Sequence, residues 1–266
     1  GRAIQNLINI EQDDKVKAFI CTQDLKDEEY INSHYVIMAT KKGQVKKTSL
    51  EQYSRPRTNG INAITIKDDD ELFEAKLTNG ESQVMIALKS GKAIRFEEAK
   101  TRPMGRGASG VRGVRLQNEN DEAIGMIAVN DMESDVLVVS ENGYGKRSSL
   151  EDYRITNRGG KGVKTISITE KTGDLVAIKN VSDADDLMII NKSGIAIRLA
   201  VENLRVMGRA TQGVKLINLK ANDSIAAVAK VMHEDEDEVD EDALSNEIDS
   251  SQEESEETSS NEELDN

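Results

Sequence analysis

Asp135-Val136-Leu137-Val138-Val139-Ser140-Glu141-Asn142-Gly143-Tyr144-Gly145-Lys146-Arg147 decides how this chain folds. A short apolar run, an Asn-Gly turn and a second strand make the sequence form of a β-hairpin, with the glycine supplying the positive φ that the turn demands. The pattern recurs on both sides. Tyr35 to Gly43, Gln83 to Gly91 and Asp186 to Gly194 carry the same layout, and the pivot glycines Gly43, Gly91, Gly143 and Gly194 stand 48, 52 and 51 residues apart. A repeat of this length governs the whole fold.

Beyond each pivot comes a variable linker and then a second glycine, Gly60, Gly110, Gly162 or Gly213, each followed by Ile or Val. Alternating segments such as Val214 to Leu219 follow, then a polar turn and a closing apolar run such as Ile225 to Val231. About four strands per ~50 residues is the signature of radially repeated blades of sheet. No stretch of the body sustains an apolar 3.6 period over a dozen residues, so the reading is all-β. Blades are expected near 35–82, 83–134, 135–185 and 186–232. There is no Trp, which excludes WD40 repeats, and with 3% aromatic residues the cores must be filled by Ile, Val, Leu, Ala and Met. The first 34 residues read as the end of a preceding blade and a linker, because Gly1 to Ile10 and then Asp14 to Ile20 resemble the closing half of a unit. The first residue is Gly rather than Met, which points to a fragment.

The formal charge of −14 hides two unlike parts. Residues 233–266 hold 17 acids and no Lys or Arg, leaving 35 bases against 32 acids in the body. The tail has too few apolar residues to offset ordering entropy and reads as disordered, either a solubiliser or a mobile polyanion competing for the body's basic surface. One cysteine excludes an internal disulfide, and neither a membrane-length apolar run nor a signal segment is present, so a soluble cytoplasmic protein with no membrane partner is expected.

Four residues past each pivot stands a base: Lys47, Arg95, Arg147 and Arg198. The linkers add Arg55 and Arg57, Arg102 and Arg106, Arg154, Arg158 and Lys161, then Arg205 and Arg209, with acids gathered in other turns. Equivalent positions of radial blades occupy equivalent sites, so this predicts a basic rim and an acidic opposite side, suited to phosphate rather than base readout. Reversing Arg95, Arg147 and Arg198 to Glu is expected to abolish binding and leave the fold intact. Other motifs carry less. Gly105 to Gly110 fits G-x-G-x-x-G but no helix follows. His34 and His233 lack metal-ligand neighbours. Tyr53 and Tyr153 repeat at matching places, as anchors would, and no catalytic residues are assigned.

Met38 to Gly43 with Val45-Lys46-Lys47-Thr48, Ala93 to Phe96, Arg102-Pro103-Met104-Gly105-Arg106 with Gly110-Val111-Arg112-Gly113-Val114, Glu141 to Arg147 with Lys146, and Gly208 to Val214 together resemble the C-terminal domain family of bacterial DNA gyrase A subunits. The resemblance runs from Gly1 to Val231. It implies a β-pinwheel, in which blades exchange strands and duplex DNA wraps around a basic rim, and it adds Lys46, Arg112 and Lys146 to the contact residues. Family members usually carry six blades, so the chain corresponds to the last four and the end of the second. Their Gln-Arg-Arg-Gly-Gly-Lys-Gly box belongs to the first blade; Thr156 to Gly162 keeps five of its seven residues as a partial copy. The implied role is non-sequence-specific wrapping that supports ATP-dependent negative supercoiling in an A2B2 assembly, with ATP and Mg2+ used elsewhere and no cofactor in this segment. The equivalent domain of topoisomerase IV and a protein-binding propeller are the alternatives.

Overall fold

In the computed structural model, residues 14–220 and 222–232 are described, together with Asn6 and Ile8. The tail and most of the opening segment therefore lie outside the described residues. Residues 14–22, expected to end an earlier blade, form no strand; a closing strand exists only as partner to a hairpin, and none precedes it here. A short helix, α1 (Glu28–Ser33), follows, its first turn capped by the Asp27 carboxylate, which accepts from the Glu29 and Tyr30 N–H groups.

The first repeat then forms three strands and the other three form four each. The first gives β1 (Tyr35–Thr40), β2 (Gln44–Ser49) and β3 (Leu72–Thr78). The second gives β4 (Gln83–Leu88), β5 (Lys92–Glu97), a two-residue β6 (Val111–Arg112) and β7 (Ala123–Val129). The third gives β8 (Asp135–Ser140), β9 (Tyr144–Ser149), β10 (Val163–Lys164) and β11 (Leu175–Val181), and the fourth β12 (Asp185–Asn191), β13 (Ala196–Ala200), β14 (Val214–Lys215) and β15 (Ile225–Met232). The sheets do not respect these units. Their orders are β3-β1-β2-β6, β10-β5-β4-β7, β11-β8-β9-β14 and β13-β12-β15, so every short strand leaves its own repeat and completes the preceding blade. The last blade has three strands, and β13 is paired only with β12 among the described residues.

The second glycine is the crossing point. Gly162 has φ +71° and a Cβ there would stand 2.5 Å from the Ala93 carbonyl oxygen on the preceding blade; Gly213 meets the Gly145 oxygen at the same distance. Both the backbone conformation and the close approach require glycine. Gly60, with no preceding sheet beside it among the described residues, has open space at that position.

Blades stack face to face, which explains why the inner strands read as continuous apolar runs instead of alternating ones. Val84, Ile86 and Leu88 of β4 join Ile37, Ala39 and Val45 of the first blade in one cluster. Met85 and Ala87, on its other face, join Val136, Val138 and Tyr153 of the third. Leu137 and Val139 repeat the arrangement toward Leu187 and Ile189. Ala39, Ala87 and Ala93 are fully buried where sheets approach, so small side chains do the work that aromatics do elsewhere.

Candidate nucleic-acid interface

The four bases beyond the pivots do not form a rim. Lys47, Arg95 and Arg147 are buried, and Arg198 is paired. Each answers a residue twelve positions earlier, at the start of the first hairpin strand. Arg95 Nε donates to Gln83 Oε1 at 2.6 Å, Arg147 Nε to Asp135 Oδ2 at 2.5 Å and Arg198 Nε to Asp186 Oδ2 at 2.5 Å. Lys47 lies over the Tyr35 ring, 4.0 Å from its centroid, and pairs with the fully buried Glu98 at 2.8 Å. Arg95 also donates to the Leu150 and Tyr153 carbonyls and Arg147 to that of Val201, so these side chains brace the turn that leads into the next unit's loop. Lys47, Arg95 and Arg147 therefore lie in strands covered on both faces and point into seams, where the rim expected of them and a reversal that spares the fold do not fit; Arg198, on the edge strand β13, stays exposed beside Asp186.

Lys46 and Lys146, one residue earlier, are also buried. Lys46 Nζ donates to the carbonyls of Ala63 and Arg106, and Lys146 Nζ to that of Gly208 at 2.6 Å. They hold the loops that carry Arg106 and Arg209 by their backbones. Ile94 and Ile197 occupy the same place in the other two repeats. Burial, and then the Arg106 guanidinium, pushes Lys46 from 10.5 down to about 8. Lys146 is also pushed down to about 8, by burial first, with Asp152 opposing and Arg209 assisting. Between about pH 8 and 10.5 the unfolded chain thus binds more protons at these sites than the folded one, and stability rises with pH across that window. Burial raises Tyr53 and Tyr153 above 10, so their contribution is whole below pH 10 and is lost above it. The urea midpoint is expected to climb from pH 8 toward 10 and then fall, and a Lys46→Met, Lys146→Met double variant to flatten the climb; a midpoint that declines steadily from pH 8 would contradict this.

Exposed cations gather on the loops between pivot and second glycine and, at Arg112, just beyond it. Arg55, Arg57, Arg102, Arg112, Arg154, Lys161 and Arg205 are exposed, with Arg106, Arg158 and Arg209 half-buried. The loops of the second, third and fourth repeats are docked on the blade before them. The N–H groups of Met104, Thr156 and Met207 bond at 2.8 Å to the carbonyls of Lys47, Arg95 and Arg147. Arg158 Nε donates to the Lys100 carbonyl at 3.0 Å and its terminal nitrogen to that of Arg112 at 3.1 Å, while Arg209 reaches the Lys164 carbonyl at 2.8 Å. Within the partial box, Gly159 N–H bonds to the Gly113 carbonyl and Gly160 accepts from Arg115, so Thr156 to Gly162 knits two repeats together and leaves Lys161 exposed.

Two further exposed cations escape a reading based on linkers alone. Lys164 and Lys215 occupy the same short-strand position as Arg112. The signal was in the sequence: Gly110-Val111-Arg112, Gly162-Val163-Lys164 and Gly213-Val214-Lys215 are one motif.

Two sets of acids have defined structural roles. Asp70, Asp121 and Asp223 clamp the hairpin turns: Asp70 accepts from Thr40 Oγ1 and the Lys42 N–H, Asp121 from Ser90, and Asp223 from Ser193. Around Asp70 and Asp121, residues Asp68 to Glu71, Glu119 to Glu122 and two lysines, Lys41 and Lys42, line an open cavity of about 400 Å³. Asp135, Asp183, Asp186 and Glu98 form the second set, beneath the bases. Tyr53 donates to the Ala63 carbonyl at 3.1 Å, and Tyr153 is buried with its hydroxyl against Thr165. Among the described residues no group of His, Cys, Asp and Glu could hold a metal ion, and no helix is long and apolar enough to cross a membrane.

Four blades that lend their short strands backward, with a cation-bearing loop at each seam, define a propeller-like β-pinwheel. Residues 34–79, 84–130, 134–182 and 185–232 match the family described as DNA gyrase C-terminal domain, beta-propeller, and the chain belongs to that family. It is 43% identical over 246 residues to the DNA gyrase A subunit of Staphylococcus aureus, covering 92% of this chain and 27% of that protein. Against its counterpart in Staphylococcus epidermidis it is 44% identical over 237 residues, covering 89% and 26%. The chain thus spans about a quarter of the length of the relatives it matches. A solved DNA gyrase A C-terminal domain superposes with TM-score 0.76 at 25% identity, covering 87% of this chain and 75% of that one. The C-terminal domain of DNA topoisomerase IV superposes with TM-score 0.80 at 24% identity, covering 93% and 75%, a likeness of fold.

Proposed function

We propose that this chain binds and wraps duplex DNA without reading its sequence, as the C-terminal part of the gyrase-type A chain of a bacterial type II topoisomerase. One observation carries the reading: the exposed cations recur at matching loop and short-strand positions, and the fold holds three of the four loops by their backbones, leaving the charged ends to solvent. Phosphates are met by such side chains, and with 3% aromatic residues there are few rings for stacking single strands. The contribution is mechanical. The wrap sets the hand of a DNA segment and delivers the adjoining duplex to a cleavage core, with Mg2+-dependent strand breakage and ATP hydrolysis placed elsewhere in an A2B2 assembly. Negative supercoiling is the outcome.

Nine loop cations together with Arg112, Lys164 and Lys215 give about twelve phosphate contacts, and log affinity is expected to fall with log salt at a slope of about −10. A gel-shift series on duplexes of graded length and salt measures it. A shallow slope with no length threshold would favour a protein-binding propeller.

A further inference from the structure

Each loop also carries an apolar residue directly after its leading arginine: Arg55-Pro56, Arg102-Pro103, Arg154-Ile155 and Arg205-Val206. All four apolar residues are exposed, Ile155 by 46% and Val206 by 52%. Single exposed apolar residues are ordinary. The same position in three successive repeats is not: Pro103, Ile155 and Val206 each stand twelve residues past their pivot glycine and directly after an arginine, with Pro56 one place further along its own loop. None of the four belongs to a core cluster among the described residues. The backbones of Pro103, Ile155 and Val206 are nonetheless fixed, because these residues form parallel bridges with Lys47, Arg95 and Arg147 of the preceding blade. A rigid backbone here presents side chains that are themselves stiff, two β-branched and one prolyl, so little freedom remains to be lost on contact.

We propose that Pro103, Ile155 and Val206 are wedges that press into the minor groove of the wrapped duplex and ease its bending at the base steps they meet. This rests on the reading that the loops bind DNA. Duplex DNA is stiff over about 150 bp, and a band of cations alone attracts it without saying where it bends. Proteins that bend DNA pair minor-groove cations with small apolar wedges that partly unstack one step, and flexible pyrimidine–purine steps yield most readily. The Arg-apolar pair is that combination in two residues. It gives the wrap a bend at each of these loops and a weak preference for phased flexible steps, with no hydrogen bond to a base.

The test uses the whole chain and an Ile155→Ser, Val206→Ser variant, whose charges are unchanged and whose substituted positions lie outside the core. Binding to a duplex too short to bend, and its salt slope, are expected to match the parent. The linking-number change trapped per bound protein when nicked circles are ligated is expected to fall at least about twofold, and the preference for phased TA steps over stiff A-tracts to vanish. Ile155→Leu with Val206→Ile restores both. A serine variant that traps the same linking change and keeps the preference overturns the wedge while leaving DNA binding intact. A parent that binds no duplex overturns the DNA reading and the wedge with it.

Discussion

Arg147→Ala is expected to lower the free energy of unfolding by about 3 kcal/mol, read as a shift of the urea midpoint followed by far-ultraviolet circular dichroism. Its guanidinium holds Asp135 and Asp183, both at 2.5 Å, and the Val201 carbonyl. Asp135 is 13% exposed, so truncation leaves a carboxylate largely out of water with no cation, the case in which breaking a buried pair costs most. The loss also frees the turn at Val201, which precedes the loop bearing Arg205. Weakened DNA binding in such a variant would thus follow from a loosened seam. An unfolding free energy within about 0.5 kcal/mol of the parent, the usual range for a surface substitution, would show that Arg147 is a surface charge after all.

Replacing Arg102, Arg154 and Arg205 together by Gln is expected to act in the opposite way. All three are exposed and none forms an ion pair among the described residues, so the thermal midpoint should move by no more than about 2 °C. If each meets one phosphate, the salt slope becomes shallower by about 2.7 and affinity at 0.1 M salt falls by about two to three orders of magnitude. A slope equal to the parent's would remove these loops from the interface. The two experiments separate what the sequence presents as one class of repeated base.

That separation marks where sequence reading stops. The pivot glycines, the repeat and the all-β layout are legible because turn chemistry and apolar runs are local. The side to which Lys47, Arg95 and Arg147 point is not, because strands covered on both faces show no inside-outside alternation. The partners are visible in hindsight: Gln83, Asp135 and Asp186 stand twelve residues ahead of Arg95, Arg147 and Arg198, and a base that recurs with a polar residue at fixed distance is a candidate pair. Lys164 and Lys215 escape for a simpler reason. The Gly-Val-base motif reads as the start of a strand, and only the sheet order shows that this strand lies at the outer edge of another repeat's blade. Spacing along the chain cannot say which neighbour a two-residue segment joins.

The backward loan of β6, β10 and β14 has a consequence for how such an array can be cut or lengthened. The genetic period and the spatial period are out of phase: excising residues 83–134 as though they were a self-contained blade would also take the closing strand of the sheet before, and would leave Val163 and Lys164 without their host. Cutting from Gly110 to Gly162 only moves the problem along the chain, because it takes Tyr144 and Gly145 and leaves Val214 and Lys215 without theirs. Gain or loss of a repeat therefore always assigns at least one short strand to a new host, and Gly110, Gly162 and Gly213 are the joints across which that reassignment is made.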